Sequence, residues 1–168
     1  MPSFYVKDNI DPYKEEAVSE NLKAKEFMCD CCNSLKMDNR LVDALTKLRK
    51  EYQYPFYVVK GYHCENWCAV RGKNPNRSHT QGVAVDVHFA LKVPVIELMD
   101  EMVKRFPYVG LIHDSTGEFY IHLQVANDSL YWICLKKEGE HAKYLYYKDY
   151  LELRHILETK PVYKELRI

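Results

Sequence analysis

The chain has no surplus of either charge. Lysine plus arginine equals aspartate plus glutamate at 24 each, so no basic bias points to nucleic acid and no acidic bias to a solvating tail. No apolar run approaches the length that crosses a membrane, so no membrane span is expected. Internal repeats and low-complexity tracts are lacking as well. The opening residues, Met1 to Asp8, lack the charged-then-apolar layout of a secretory signal. Synthesis in a cytoplasm, or export by another route, is therefore the expectation. What remains is 168 residues, a length that suits one domain with a sizeable core.

Two residue types stand out. Fourteen tyrosines supply bodies for packing and polar tips for the rim. Six cysteines fall mostly into two clusters: Cys29, Cys31 and Cys32, then Cys64 and Cys68, with Cys134 apart. Cys29, Cys32, Cys64 and Cys68 have spacings that could hold a structural zinc ion. Disulfides between the clusters, formed after release into an oxidising space, are an alternative. Buried reduced thiols are a third.

The hydrophobic pattern predicts a mixed chain. Residues 1–20, polar and proline-containing, suggest an irregular arm with a short helix from Tyr13 to Leu22. Leu41, Val42, Leu45 and Leu48 recur at helical spacing over 38–51, behind Asp38 or Asn39 as N-cap. Tyr54 to His63 reads as a strand turning at Gly61. Cys64 to Arg77, polar and with Gly72 and Pro75, reads as a loop. Its basic residues Arg71, Lys73 and Arg77 either attract an acidic ligand or form a solvated face. A second helix is expected over Pro94–Phe106. Strands at Tyr108–His113 and Glu118–Val125 are joined by an Asp114–Gly117 turn. Two further strands, over 129–135 and 142–147, and a helix from Asp149 to Glu158 follow.

The chemistry is concentrated in Arg77-Ser78-His79-Thr80-Gln81-Gly82-Val83-Ala84-Val85-Asp86-Val87. His79 is placed on a loop, Gly82 allows a tight turn, and an alternating strand delivers Asp86. Imidazole and carboxylate both ligate zinc, and a hydrolytic zinc site has three protein ligands and one open position. His122 offers the third. On its strand Glu118, Tyr120, His122 and Gln124 share one face, and Phe119, Ile121, Leu123 and Val125 the other. His122 is thus expected to point from the apolar core towards a cleft. His88 lies on the Asp86 face of its own strand and could support the site. A histidine and an aspartate in a strand are also ordinary structural residues, and only the full spacing singles these out.

The string Ser-His-x-x-Gly-x-Ala-x-Asp, with a later isolated strand histidine, resembles the zinc D-Ala-D-Ala carboxypeptidase and endopeptidase family, whose fold and metal motif the Hedgehog signalling domain shares. Glu26, Phe27 and Cys29 match a Glu-Phe-x-Cys segment of the relatives. Gly61 and Tyr62 match a Ser-Gly-Tyr-Arg strand end, and Asn66 and Gly72 match the loop that follows. The likeness covers residues 24–125. It implies an α+β fold, an antiparallel sheet with helices packed on one face, over 1–127. Residues 128–168 then form an extension packed on the same domain.

The resemblance further implies a Zn²⁺ held by His79, Asp86 and His122, substrate contacts from Ser78, Tyr62 and Asn66, and hydrolysis of peptidoglycan stem peptides or cross-links. The chain departs from the pattern twice. His63 stands where the relatives carry an arginine that holds a substrate oxygen; it could donate to an oxyanion, ligate a metal or be structural. Phe119 stands where an acid precedes the last histidine by three residues. Glu118, one place earlier, is then the candidate catalytic base, with Asp114 as a second. A phage or prophage endolysin-like protein, acting on the cell wall after release, would suit these features. The alternative is a non-hydrolytic zinc-binding structural or interaction module on the same fold.

Overall fold

The computed structural model describes residues 2–137, 139–164 and 168. It is a mixed α+β structure. Its main sheet has six strands, in the spatial order β10 (Lys143–Tyr147), β9 (Leu130–Leu135), β7 (Tyr108–His113), β8 (Phe119–Gln124), β6 (Ala84–Phe89) and β5 (Phe56–Lys60), mostly antiparallel. By internal contacts the chain forms two compact units, residues 1–53 with 57–86, and residues 54–56 with 87–168.

The first unit opens with strand β1 (Phe4–Lys7) and continues through β2 (Ala17–Ser19) and β3 (Leu22–Lys23). The helix expected over Tyr13–Leu22 is absent. Ala17 and Ser19 instead pair back on Leu22 and Lys23. Burial of Ile10 and Leu22 anchors this arm more firmly than a weakly amphipathic helix would. A 3₁₀ turn (Ala24–Glu26) leads to β4 (Leu35–Asp38), which pairs antiparallel with β1.

Helix α1 (Asn39–Glu51) begins where its pattern predicts. The Asp38 side chain caps it by accepting from the Arg40 N–H and also takes the Arg40 guanidinium. Leu41, Leu45 and Leu48 are fully buried. Arg49 reaches back to Glu26 in a two-pronged ion pair at 2.9 and 3.0 Å. Glu26 thereby ties the Glu-Phe-x-Cys segment to the helix, and Phe27 beside it is fully buried.

Strand β5 (Phe56–Lys60) runs into Gly61 as expected. A Cβ at Gly61 would stand 2.3 Å from the Phe27 carbonyl oxygen, so only glycine allows this approach. The stretch after it is not a plain loop. It forms a short helix, α2 (Glu65–Val70), whose N-terminus is capped by the Cys64 sulfur accepting from the Trp67 N–H. Burial of Trp67 and Cys68 on one side of this turn explains the departure from its polar composition. The His79 segment is likewise a single helical turn, α3 (Ser78–Gln81), ended by left-handed Gly82 at φ 75°. Strand β6 (Ala84–Phe89) follows.

The second unit holds helix α4 (Val95–Met102), shorter than the predicted Pro94–Phe106, with Pro94 as its cap. Strands β7 (Tyr108–His113) and β8 (Phe119–Gln124) form an unbroken hairpin from Tyr108↔Gln124 to His113↔Phe119. Asp114 shapes the turn by accepting from the Thr116 N–H and hydroxyl and from the Glu118 N–H. Strand β9 (Leu130–Leu135) lies parallel to β7, the one parallel pairing described, and β10 (Lys143–Tyr147) lies antiparallel to β9. Helix α5 (Tyr150–Thr159), capped by Asp149, fits the predicted helix, and the short α6 (Pro161–Lys164) follows. Asp100 of α4 binds the Tyr150 hydroxyl at 2.6 Å and the Arg154 guanidinium at 2.9 Å. The end of the chain is fixed by Ile168, whose backbone pairs with Val93 in both directions.

Candidate functional site

His79 is buried on α3, and its orientation follows from one hydrogen bond. Its Nδ1 lies 2.8 Å from the Gly61 carbonyl oxygen. A carbonyl can only accept, so Nδ1 carries a proton, and Nε2 is the ring atom left to ligate. It faces Asp86 Oδ1 at 3.3 Å. Two acceptors at this distance suit a metal ion between them. The remaining Asp86 oxygen lies 3.6 Å from Lys60 Nζ.

Gly82 makes this arrangement possible. Its positive φ turns the chain from α3 into β6, and a Cβ there would stand 2.4 Å from the Lys36 carbonyl oxygen. The Gly82 carbonyl in turn accepts from the Asp38 N–H at 2.8 Å. The motif is therefore held against β4.

His122, in the middle of β8, has its own support. Its Nε2 lies 3.1 Å from Gln124 Oε1, which leaves Nδ1 as the donor atom for a metal. The ring also lies 5.2 Å from that of Trp132. Trp132 sits flat over Gly110, where an added Cβ would meet the indole at 2.3 Å. The His122 face of β8 is thus covered rather than open: Tyr120 and His122 are both buried, as are Ile121 and Leu123 on the other face.

His79 and Asp86 meet within the first unit, Nε2 to Oδ1 at 3.3 Å, and His122, the third candidate ligand, belongs to the second. Two imidazoles and a carboxylate make a donor set suited to zinc. Both histidines have the outer hydrogen bond that fixes a ligating tautomer. The residues present fit the metal that the sequence implied.

The other predicted residues are placed as follows. His63 is buried and stacks on Trp67 at 3.7 Å between ring centres, 5.5 Å from the His79 ring. Burial pulls its pKa down to about 4, with His79 and Arg77 adding to the effect. It is therefore a neutral imidazole at pH 7, unlike the arginine it replaces, and its Nδ1 is buried with no hydrogen-bond partner. Tyr62 packs on the Cys29–Trp67–Cys68 cluster, Ser78 opens α3, and Asn66 is exposed on α2. Arg71 and Lys73 lie over the Trp67 ring at 4.3 and 5.0 Å. His88 is half-buried on β6.

Glu118 is exposed at the hairpin end. The hairpin register continues without a bulge to His122, so four residues of strand separate the two by roughly 13 Å at ~3.3 Å per residue. Asp114, the second candidate base, is engaged in the turn.

A second candidate group differs from the cysteine set expected. It consists of Cys29, Cys31, Cys32 and Cys64, within 4.8 Å of one another. Cys31 takes the place assigned to Cys68, which is buried with its sulfur 3.2 Å from the Thr80 hydroxyl. Conventional pair spacing pointed to Cys68; the tight turn after Cys29 brings Cys31 in instead. Gln124, Lys60 and the Gly61 carbonyl were the other site groups that motif spacing missed. The one available signal was that Gln124 shares the strand face of His122.

No protein-family model matches the chain, and no curated protein or solved structure is significantly similar to it.

Proposed function

We propose that the chain is a zinc-dependent peptidase acting on peptidoglycan stem peptides or their cross-links, with His79, Asp86 and His122 as the metal ligands. The observation that carries this reading is the buried His79–Asp86 pair, Nε2 to Oδ1 at 3.3 Å with Nδ1 held by the Gly61 carbonyl, in residues spaced, with His122, as in the D-Ala-D-Ala peptidases. A zinc ion bound there supplies a Lewis acid that polarises a carbonyl and makes water more acidic. The chain's own residues would orient and bind. Gly61 and Gln124 hold the two imidazoles. Neutral His63 offers a ring N–H to a carbonyl or developing oxyanion beside His79. Lys60 places a positive charge next to Asp86, suited to a substrate carboxylate.

A second reading is a non-hydrolytic zinc module. It is favoured by the position of Glu118, too far along β8 to take a proton at His122, and by the engagement of Asp114 in its turn. Mass spectrometry of purified muropeptides, incubated with the protein plus zinc and plus a chelator, separates the two. Zinc-dependent release of a defined fragment supports the peptidase and its mass names the bond. No product from carboxypeptidase or cross-linked substrates, with folded and metal-loaded protein, leaves the binding module.

A further inference from the structure

We infer that Cys29, Cys31, Cys32 and Cys64 form a closed structural zinc site that braces the backbone orienting His79. All four sulfurs belong to the first unit and converge from two segments. The Cys31 sulfur lies 3.5 Å from that of Cys29 and 3.2 Å from that of Cys64. Tetrahedral zinc with Zn–S of ~2.3 Å sets its sulfurs roughly 3.8 Å apart. The observed group, with no pair of ligand atoms beyond 4.8 Å, needs only small adjustment to reach that.

The backbone around the sulfurs is built for the same purpose. Cys29 N–H donates to the Ser34 carbonyl and Asn33 N–H to the Cys29 carbonyl, both at 2.9 Å. Asn33 adopts φ 52°. This tight turn returns three cysteines to one point. Two backbone donors then aim at sulfur: Cys64 N–H at Cys29, 3.4 Å, and Trp67 N–H at Cys64, 3.3 Å. Such donors stabilise thiolate, the form that binds metal. A Cys31–Cys64 disulfide would use only two of the four sulfurs and leave the others without a role. Four soft donors with no oxygen or nitrogen among them select zinc over harder cations.

The bracing role follows from what the two segments carry. Cys29–Cys32 follow Phe27, and Cys64 follows Gly61, Tyr62 and His63. The Tyr62 N–H already donates to the Phe27 carbonyl at 2.7 Å. The Gly61 carbonyl is the group that fixes the His79 tautomer. A metal joining the two segments therefore holds the acceptor on which His79 depends. The cysteine site stands independently of the peptidase reading; only its bracing role rests on metal binding at His79.

The test uses the full chain, reduced and reconstituted with Co²⁺. Thiolate ligation gives sulfur-to-cobalt charge-transfer absorption in the near ultraviolet, which a His-Asp-His site does not. Wild type and His79→Ala should both show the band. Cys31→Ser should lose most of it, and Cys68→Ser should keep it. Absence of the band in reduced wild type, which requires no variant to fold, overturns the site; loss in Cys68→Ser with retention in Cys31→Ser overturns this ligand set. Zinc titration of the His79 site in Cys31→Ser should show affinity weaker on the order of 10-fold, as loss of an outer support produces. Unchanged affinity overturns the bracing role.

Discussion

Single hydrogen bonds decide which atoms of this protein can meet a metal. Gln124 is the clearest case, because the only polar contact described for its side chain is with His122 Nε2. Gln124→Ala should weaken zinc binding by roughly 10- to 100-fold while leaving the fold intact, as measured by competition with a chromophoric chelator. Glu118 provides the opposite expectation. A positioned general base contributes about 10²- to 10⁴-fold, whereas Glu118→Gln should change muropeptide turnover by less than about twofold. A large loss would place Glu118 at the reacting bond despite its position at the hairpin end.

Asp38 offers a pH test. The Arg40 guanidinium and N–H hold its carboxyl below the usual range, against the opposing effect of burial. A carboxyl depressed on folding stabilises the protein above its unfolded pKa, and that contribution disappears as pH falls through the folded value. Asp38→Ala should cost about 1 kcal/mol at pH 7 through the lost cap. The difference should shrink at strongly acid pH in denaturant titrations.

At the scale of elements, two glycines fix the ligands where side chains could not. Gly82 combines a positive φ with close approach to the Lys36 carbonyl. Gly82→Ala should cost at least ~1–2 kcal/mol from the left-handed backbone alone, and metal affinity should fall with it because α3 carries His79. Gly110 lies under Trp132, which in turn borders His122. Gly110→Ala should displace the indole, visible as a shift in tryptophan fluorescence.

For the molecule as a whole, the two candidate centres link metal to stability. A ligand that binds only the folded state at 100 times its Kd adds about 2.7 kcal/mol. Thermal unfolding should therefore shift upward with zinc and downward with a strong chelator. The shift should persist in part in His79→Ala if the cysteine centre is independently loaded. An unfolding temperature indifferent to zinc and to chelator would argue against metal at either group.

Periodicity alone determined α1, the β7–β8 hairpin with its Asp114 turn, and α5, because each is specified by neighbours within one element. The turn at Gly82 and the strand that carries Asp86 were likewise legible, since both are local signals. Other features were decided only by tertiary structure. The N-terminal arm became strands because Ile10 and Leu22 found buried positions and β1 found β4. Cys64–Val70 became a helix start because Trp67 and Cys68 turned inward. The cysteine group gained Cys31 and lost Cys68 because a turn at Asn33, not sequence spacing, sets where the sulfurs meet. The candidate base Glu118 was left at the hairpin end because the β7–β8 register continues unbroken. Sequence records which groups are available; which of them share a point in space depends on turns and close approaches made by residues that carry no chemistry themselves.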